Sequence, residues 1–313
     1  MKYLFFTLLL ICISLENFAQ ETISILKDKD SYYEEYYVLK SDKKTKHGSY
    51  IKLDRPIYGG LFIESFGSYS QGKKSGYWET YYPNRNNIKS KGNYNKDGLK
   101  EGRWTYFFPE TKPLDLFSSD SENGASFQVM WANPTTAQSG NYSNGEKRGV
   151  WDYFDEAGFL RQQFDHDSDS LVYSHNADLE NIEAGYIGGE FFLKQHLNET
   201  FDFPAYLQSS NNTISLNTGM IIFLFTIDEK GKIVNITEIE DTIKNKKIYN
   251  RALATTQSLD SKWYPEKKNG TKQASTKTIA FELQVETKHS SFVTDQWSFS
   301  NTSNGFKMNI TVK

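Results

Sequence analysis

An apolar run in the C-terminal half of the chain predicts the centre of a sheet. Residues 220–227 (MIIFLFTI) are rich in β-branched and aromatic side chains, which is typical of a strand buried on both faces. Residues 228–231 then supply turn chemistry, with Gly231 free to adopt a positive φ. Residues 232–239 resume the apolar pattern, so the sequence predicts a hairpin. An isolated hairpin is only marginally stable, and other segments must therefore cover it.

The segments that flank this hairpin predict two helices and one further strand. Residues 188–200 place apolar side chains at helical spacing and are followed by Pro204, which ends a helix. Residues 241–261 again form one apolar helical face. Apolar and polar residues alternate over 276–285, as in a strand. The predicted order is helix, strand, strand, helix, strand, with both helices on one face of the hairpin. The apolar positions concerned are Phe192, Leu193, Leu197, Ile248, Ala252, Leu253, Leu259, Ile279, Phe281, Leu283 and Val285.

The end of the chain predicts an additional hairpin. Apolar and polar residues alternate over 291–299 and over 306–312, and the turn dipeptide Asn304-Gly305 lies between them. Without a neighbour, the strand at 278–285 would be an open sheet edge, which promotes aggregation. We therefore predict that the tail, 287–313, pairs with or covers that edge.

An internal repeat occupies the N-terminal half. A Gly-x-Tyr element, a glycine-containing turn and a Gly-x-Trp element recur at 67–81, 92–106 and 140–153. Each copy predicts a strand, a turn and a returning strand. The tryptophans at positions 78, 104 and 151 lie 26 and then 47 residues apart, so a degenerate copy is expected within 115–138. A divergent first copy is predicted at 36–50.

The glycine before each aromatic residue predicts close contact between neighbouring strands. A bare glycine leaves room for a ring from the adjacent strand to lie over the backbone. We therefore interpret Trp78, Trp104 and Trp151 as residues that pack on the sheet. The alternative is an exposed aromatic surface that binds a ligand such as a carbohydrate. One hairpin cannot bury such a face alone, but successive hairpins can stack into an elongated sheet.

The N-terminus has the pattern of a secretory signal peptide. Lys2 precedes an apolar segment, and polar residues then lead to Ala19, after which we expect cleavage. The apolar segment is short for a membrane span, which needs about 20 apolar residues. Retention as an anchor is the alternative. Cys12 lacks the preceding small residue of a lipoprotein, so we assign it to the removed segment. The expected location is the periplasm or the outer membrane.

Composition narrows the class of protein further. Aromatic residues make up 15% of the 313 residues whereas proline occurs only 7 times, which favours a β-rich fold over a disordered chain. The net charge is -3 and the basic residues are scattered, which argues against nucleic acid as a partner. The length suits about two domains.

No motif indicates catalysis or a cofactor. The histidines lack the spacing of zinc ligands, and the sequence has no Gly-x-Ser-x-Gly element. The alternating carboxylates of Asp165, Asp167 and Asp169 could hold a hard cation, but Ser170 replaces the turn glycine of a calcium loop. We interpret residues 166–185 as a solvated linker instead, and we expect the protein not to be an enzyme.

The repeats resemble the MORN-like repeats of bacterial envelope proteins, a family often labelled as antitoxin components. The Gly-x-Tyr and Gly-x-Trp elements carry this resemblance over residues 32–165. The resemblance implies a β scaffold more firmly than an activity, because the antitoxin label belongs to intracellular partners and this chain is expected to be exported.

Residues 186–286 resemble the C-terminal domain of the TonB family. In that family a small sheet is backed by two helices, and the last strand is an edge that accepts an extended peptide from an outer-membrane transporter. The resemblance thus implies partner contact through main-chain hydrogen bonds of the strand at 278–285. The matching pieces are Gly188-Gly189-Glu190, Phe203-Pro204-Ala205, residues 227–234, Ala252-Leu253, Trp263-Tyr264-Pro265, Asn269-Gly270 and residues 279–283. The implied partner-binding residues are Thr278, Ile279, Phe281, Leu283 and Val285.

These patterns together predict an α+β fold, with an antiparallel sheet of hairpin repeats followed by a small TonB-like domain. The predicted segments are a signal peptide at 1–19, repeats at 20–165, a linker at 166–185, the TonB-like domain at 186–286 and a β tail at 287–313. The predicted function is an exported, non-enzymatic envelope protein that binds a protein partner by strand addition in an outer-membrane or transport-related context. One alternative is an energy-transducing TonB-type component, which requires an uncleaved anchor, although a Pro-rich spacer is missing. The other is a structural or carbohydrate-binding repeat protein.

Overall fold

A computed structural model describes residues 21–56, 60–83, 87–109, 134–201, 218–285, 296–302 and 305–312. Contacts divide the chain into two units. The first comprises residues 1–134 and 142–146, and the second comprises residues 135–141 and 147–313. The predicted boundaries at 165 and 186 both fall inside the second unit. The signal peptide at 1–19 and most of the degenerate repeat at 115–138 lie outside the described residues.

The first unit contains an antiparallel meander in which each strand pairs with the next one along the chain. The predicted hairpins at 67–81 and 92–106 are confirmed, and so is the divergent first copy, since Tyr36 pairs with Tyr50. The strands are β1 (Thr22–Asp28), β2 (Tyr32–Leu39), β3 (Lys46–Asp54), β4 (Phe62–Ser70), β5 (Lys73–Tyr81), β6 (Ile88–Tyr94) and β7 (Lys100–Phe107).

The second unit contains most of β8 (Thr136–Ser143) and of β9 (Glu146–Phe154), together with β10 (Leu160–Asp165) and β11 (Ser170–Ser174). The linker prediction for 166–185 is wrong at 170–174, where the chain forms β11. Leu171 on this strand pairs with Phe164, and both side chains are buried. Apolar burial thus extends the sheet by one strand beyond the predicted end of the repeats.

Beyond this sheet, the described residues of the second unit form two helices and a five-stranded sheet, and the predicted order of helix, strand, strand, helix, strand is confirmed. The elements are β12 (Gly185–Tyr186), α1 (Glu190–Thr200), β13 (Gly219–Ile227), β14 (Ile233–Asp241), α2 (Lys246–Gln257), β15 (Trp263–Tyr264), β16 (Glu266–Lys268), β17 (Thr271–Gln273), β18 (Ser275–Val285), β19 (Gln296–Thr302) and β20 (Gly305–Val312). Strand order in the five-stranded sheet is β14–β13–β18–β20–β19, and all neighbours are antiparallel except β18 and β20.

The hairpin of β13 and β14 has the predicted turn. Gly231 has a φ of 76°, and the Asp228 carboxylate accepts hydrogen bonds from the main-chain N–H groups of Lys230 and Lys232. Helix α2 begins at a side-chain cap, because the Asn245 side chain accepts from the first free N–H groups of the helix. These local bonds fix where the elements start and end.

Among the described residues, the buried core of the five-stranded sheet lies on one face. Alternate residues of β13 are fully buried against both helices, whereas Ile222 and Leu224, on the opposite face, are only partly buried. The predicted burial of 220–227 on both faces is therefore wrong, because α1 and α2 pack on the same side. The principal contacts come from Leu193 and Leu197 of α1, Ile248 and Ala252 of α2, and Ile221, Phe223, Phe225 and Ile227 of β13.

Each tryptophan of the repeats lies against a glycine of the neighbouring strand, as predicted. A Cβ atom added at Gly67, Gly92 or Gly140 would lie 2.3 Å from the nearest ring atom. The indole N–H donates a hydrogen bond of 2.9–3.0 Å to the main-chain carbonyl of the residue that follows the glycine. The pairs are Trp78 with Gly67, Trp104 with Gly92, and Trp151 with Gly140.

We predict that Gly92→Ala destabilises the first unit by about 1–3 kcal/mol, because the new methyl group overlaps the Trp104 ring. Gly92 does not have a positive φ, so the loss reports the steric overlap rather than backbone strain. Urea denaturation followed by tryptophan fluorescence measures the effect.

The matched control is Gly60→Ala, whose new methyl group would meet nothing within 4 Å. This variant should stay within about 0.5 kcal/mol of the wild type, as exposed substitutions usually do. Equal losses in the two variants would contradict the packing explanation.

Candidate functional site

The predicted partner-binding residues all lie on β18, but this strand is not an edge. It pairs with β13 on one side and with β20 on the other. The edge that the TonB resemblance implies at 278–285 is therefore occupied by β20 in the described part of the chain. The predicted tail hairpin is confirmed by the antiparallel pairing of β19 with β20, and its position beside β18 is confirmed as well. Asn304 of the predicted turn lies outside the described residues.

Alternate side chains of β18 face the core. Ile279, Phe281 and Leu283 are 0% exposed, and the ring of Phe281 stacks on Phe201 with centroids 5.4 Å apart. Thr278 is partly buried, and the side chain of Val285 lies outside the described part of the chain. A strand that pairs with β18 would therefore be held by main-chain hydrogen bonds of the predicted residues.

The register between β18 and β20 matches the two apolar patterns. The ladder runs from Thr278 opposite Gly305 to Val285 opposite Val312. It places the apolar positions of the tail opposite the core-facing positions of β18. The apolar pairs are Ile279 with Phe306, Phe281 with Met308, Leu283 with Ile310, and Val285 with Val312. A parallel ladder is slightly less stable per residue than an antiparallel one.

The far edge of the same sheet, β14, is poorly suited to strand addition. The pairing of β13 with β14 skips one residue at Val234 and another at Ile239, so each is a β-bulge residue. Both side chains are exposed, at 61% and 56%. Bulges and charged residues such as Glu238 are devices that protect natural sheet edges from pairing.

The predicted alternative of an exposed aromatic surface is wrong. Trp78, Trp104 and Trp151 are only 1%, 2% and 0% exposed. Each ring is covered by side chains of neighbouring strands in addition to the glycine beneath it. The packing interpretation of these residues fits the structure, and their faces are not accessible to a ligand.

Two of the three candidate cation-binding carboxylates, those of Asp165 and Asp167, accept local hydrogen bonds at the turn after β10. Asp165 accepts hydrogen bonds from the Asp167 N–H at 3.0 Å and the Ser168 hydroxyl at 2.8 Å, and these bonds lower its pKa. Asp167 accepts from the Gly149 N–H at 3.0 Å. Within the described residues, no group of His, Cys, Asp and Glu side chains could hold a metal ion.

A recurring lysine is the feature that sequence reasoning missed. It stands four residues before the aromatic residue of each repeat, and its ammonium lies over the ring at a cation–π distance. The fixed spacing Lys-x-Gly-x-aromatic was the available signal. The distances from Nζ to the ring centroid are 4.4 Å for Lys46 and Tyr50, 4.2 Å for Lys74 and Trp78, 4.6 Å for Lys100 and Trp104, and 4.0 Å for Lys147 and Trp151.

The electrostatic surroundings of these lysines differ between repeats. Burial lowers the pKa of Lys74 and of Lys100, and the charge of Lys74 lowers the pKa of Lys100 further. Lys46 instead forms a 2.9 Å ion pair with Glu34, which is 8% exposed. Burial tends to raise the pKa of Glu34, but hydrogen bonds from Lys46 and Lys27 outweigh it and the pKa is lowered.

Comparison of the chain with protein-family models, curated proteins and solved structures gave no match. The resemblances to MORN-like repeats and to the TonB C-terminal domain therefore stay predictions. In the part of the chain that the structure describes, no helix has the length and apolar character needed to cross a membrane.

We predict that Glu34→Gln lowers the free energy of unfolding at neutral pH by about 1–3 kcal/mol, because two lysines lose a charged acceptor. The pKa of Glu34 is lower in the folded state, so its stabilisation is present above the unfolded pKa of about 4.3 and is lost as the pH falls through the folded-state value. The difference between variant and wild type should shrink over that acidic window. Urea denaturation at several pH values measures it.

Glu21→Gln is the control, because Glu21 and Lys40 form an exposed ion pair. Exposed pairs contribute about 0–1 kcal/mol, so this loss should be the smaller one. A Glu34 effect that does not change with pH would contradict the assigned ion pair.

Proposed function

We propose that the domain at 186–286 binds a protein partner, whose extended segment pairs with β18 in place of β20. The observation that carries this proposal is the parallel ladder between Thr278–Val285 and Gly305–Val312. It is a strand addition made within one chain, by a segment that follows the predicted domain. A partner segment of the same length would find the same main-chain donors and acceptors.

The main-chain groups of β18 support the exchange of β20 for a partner segment. Main-chain hydrogen bonds supply affinity in strand addition, and they are available to any extended segment. Specificity would come from alternate apolar positions that match the register of Ile279, Phe281 and Leu283. The outer edge β14 is bulged and lacks such a continuous ladder, and the other outer edge, β19, belongs to the tail rather than to the domain at 186–286. Within that domain, β18 is therefore the acceptor in this proposal.

The resemblance to the TonB C-terminal domain supports the same strand. In that family the last strand of the order helix, strand, strand, helix, strand accepts a transporter peptide, and β18 is the last strand of the same order in this chain. With a signal peptide at 1–19, the partner would be a protein of the cell envelope, possessing a segment that can become extended. The sequence has no Pro-rich spacer, which favours partner binding without energy transduction. We also propose a non-enzymatic role, because no catalytic motif was recognised in the sequence.

We predict that breaking β20 makes the acceptor strand available. In Asn309→Pro, a proline in the middle of β20 removes a main-chain donor and disrupts pairing. The probe is a fluorescent peptide with the sequence of β20, Gly-Phe-Lys-Met-Asn-Ile-Thr-Val. Tethered β20 competes at an effective concentration on the order of millimolar, so its loss should tighten peptide binding at least about tenfold. Fluorescence anisotropy measures the affinity.

Asn309→Ala is the matched control, because it changes the same side chain and keeps the main-chain donor. It should bind the peptide as weakly as the wild type does. Circular dichroism of both variants verifies that the domain stays folded. A folded Asn309→Pro variant that binds no better than Asn309→Ala would contradict the exchange model.

A further inference from the structure

The first strand of the repeats has one open edge. Among the described residues, β1 is an outermost strand of its sheet and pairs with β2 alone. In an antiparallel pair, every second residue exchanges main-chain hydrogen bonds with the neighbouring strand. At one end of this pair the Lys40 N–H donates to the Glu21 carbonyl at 2.8 Å. At the other end the Lys29 N–H donates to the Tyr32 carbonyl at 2.9 Å. The odd-numbered residues of β1 therefore bond to β2, and the main-chain groups of the even-numbered residues point outward. These outward-pointing residues are Thr22, Ser24, Leu26 and Asp28.

β11 is also an outermost strand of the repeats, but it is less suited to pairing. Its pairing with β10 skips Val172, which is therefore a β-bulge residue. It has 5 residues, whereas β1 has 7 and pairs with β2 without a shift of register. Short strands and bulges protect natural sheet edges from pairing. β1 has neither device, so it is the outer strand of the repeats to which another strand can be added.

The sequence of β1 is complementary to itself in one antiparallel register. When two copies meet about a two-fold axis at Ser24, outward-pointing residues lie opposite outward-pointing residues, as main-chain bonding requires. Ile23 then lies opposite Ile25 of the second copy, and Lys27 lies opposite Glu21 of the second copy. An axis at Ile25 would instead place Lys27 opposite Ile23. An axis at Ile23 would place Ile25 opposite Glu21. The pattern of apolar and charged residues therefore selects the axis at Ser24.

Charges of opposite sign meet across this register. Within one copy, Glu21 forms an ion pair with Lys40 at 2.7 Å. Lys27 forms another with Glu34 at 3.0 Å. The axis at Ser24 joins these pairs into a row of alternating sign, because Glu21 lies opposite Lys27 of the second copy. Opposite charges on facing strands stabilise a sheet. A lysine on an edge strand normally opposes pairing, but here the residue that it meets is a glutamate.

The apolar side chains of β1 would be covered by the second strand. Leu26 is 59% exposed, and Ile23 and Ile25 are only partly buried. With the axis at Ser24, Leu26 lies opposite Thr22 of the second copy on one face of the sheet, and the isoleucines lie opposite each other on the other face. Removal of apolar surface from water favours association. Pairing would therefore bury apolar area on both faces.

We propose that β1 is a dimerisation edge, at which two copies of this chain pair antiparallel about a two-fold axis at Ser24. Main-chain hydrogen bonds between the outward-pointing residues hold the copies together, and the isoleucine and charge pairs set the register. A two-fold contact closes on itself, so association ends at the dimer. The interface contains no residue of β18 or β20 and does not depend on strand exchange.

Sedimentation velocity of the purified protein over about 1–300 µM tests the dimer, because a contact of one strand pair is small and should dissociate within this range. In Ser24→Pro, the proline removes the outward N–H donor at the axis, and an edge strand tolerates proline at such a position. Two donors are lost per dimer, so the dissociation constant should rise at least about tenfold. Ser24→Ala is the matched control, because it keeps the donor and should dimerise as the wild type does. Circular dichroism verifies that both variants fold.

Cross-linking tests the register directly. Ser24→Cys, with Cys12 replaced by serine, places two thiols on the axis. Residues of a hydrogen-bonded antiparallel pair have Cα atoms about 5.5 Å apart, which a disulfide can bridge. Oxidation should therefore convert this variant into a covalent dimer. Thr22→Cys is the control. Because Thr22 lies opposite Leu26, its two copies are about 13 Å apart along the strands, beyond the reach of a disulfide.

A protein that stays monomeric over the whole concentration range would overturn the proposal, and so would association that continues beyond a dimer. Equal dimerisation by folded Ser24→Pro and Ser24→Ala would overturn it as well, because the contact would then lie outside the β1 edge. If Ser24→Pro does not fold, the cross-linking comparison decides the question. Equal cross-linking of Ser24→Cys and Thr22→Cys would contradict the axis at Ser24.

Discussion

The repeats depend on one contact, an indole ring lying directly on the backbone of a glycine in the next strand. A side chain at Gly67, Gly92 or Gly140 would occupy the space of the ring, so the glycine and the tryptophan are required together. The ring N–H is satisfied by a main-chain carbonyl one residue further on. This contact explains how three of the six tryptophans, Trp78, Trp104 and Trp151, are buried on the face of a sheet. In each repeat the lysine over the ring is only partly buried, so it is more exposed than the buried ring.

The C-terminal domain is shaped by a different constraint, the need to pair the main-chain groups of a sheet edge. On one side of the domain's sheet, bulges at Val234 and Ile239 protect β14 from pairing with another strand. On the other side, β20 pairs with the main-chain groups of β18. A bulge is a fixed part of the strand itself, but a strand that pairs with an edge can be replaced by another strand. The proposed partner binding follows from this difference between the two sides.

Local patterns predicted most elements, and non-local relations account for what was missed. Alternation and turn residues were sufficient for the hairpin at 220–239 and for the tail, because register and turn type are encoded within a few residues. The one-sided core of β13 depends on where two distant helices pack, and the short strand at 170–174 depends on burial of Leu171. Predicting the ion pair of Glu34 with Lys46 would have required the cross-strand register. Predicting the parallel direction of β20 would have required the knowledge that β20, rather than β19, pairs with β18.

The most direct test of the strand-exchange account is to lock β20 in place. Ala280 and Lys307 are register partners, and cysteines at both positions, with Cys12 replaced by serine, would form a disulfide that ties β20 to β18. The account predicts that the oxidised protein does not bind the β20 peptide, whereas reduction restores the binding of the unlocked chain. Equal binding in the oxidised and reduced states would contradict it, because the peptide would then pair at a site other than β18.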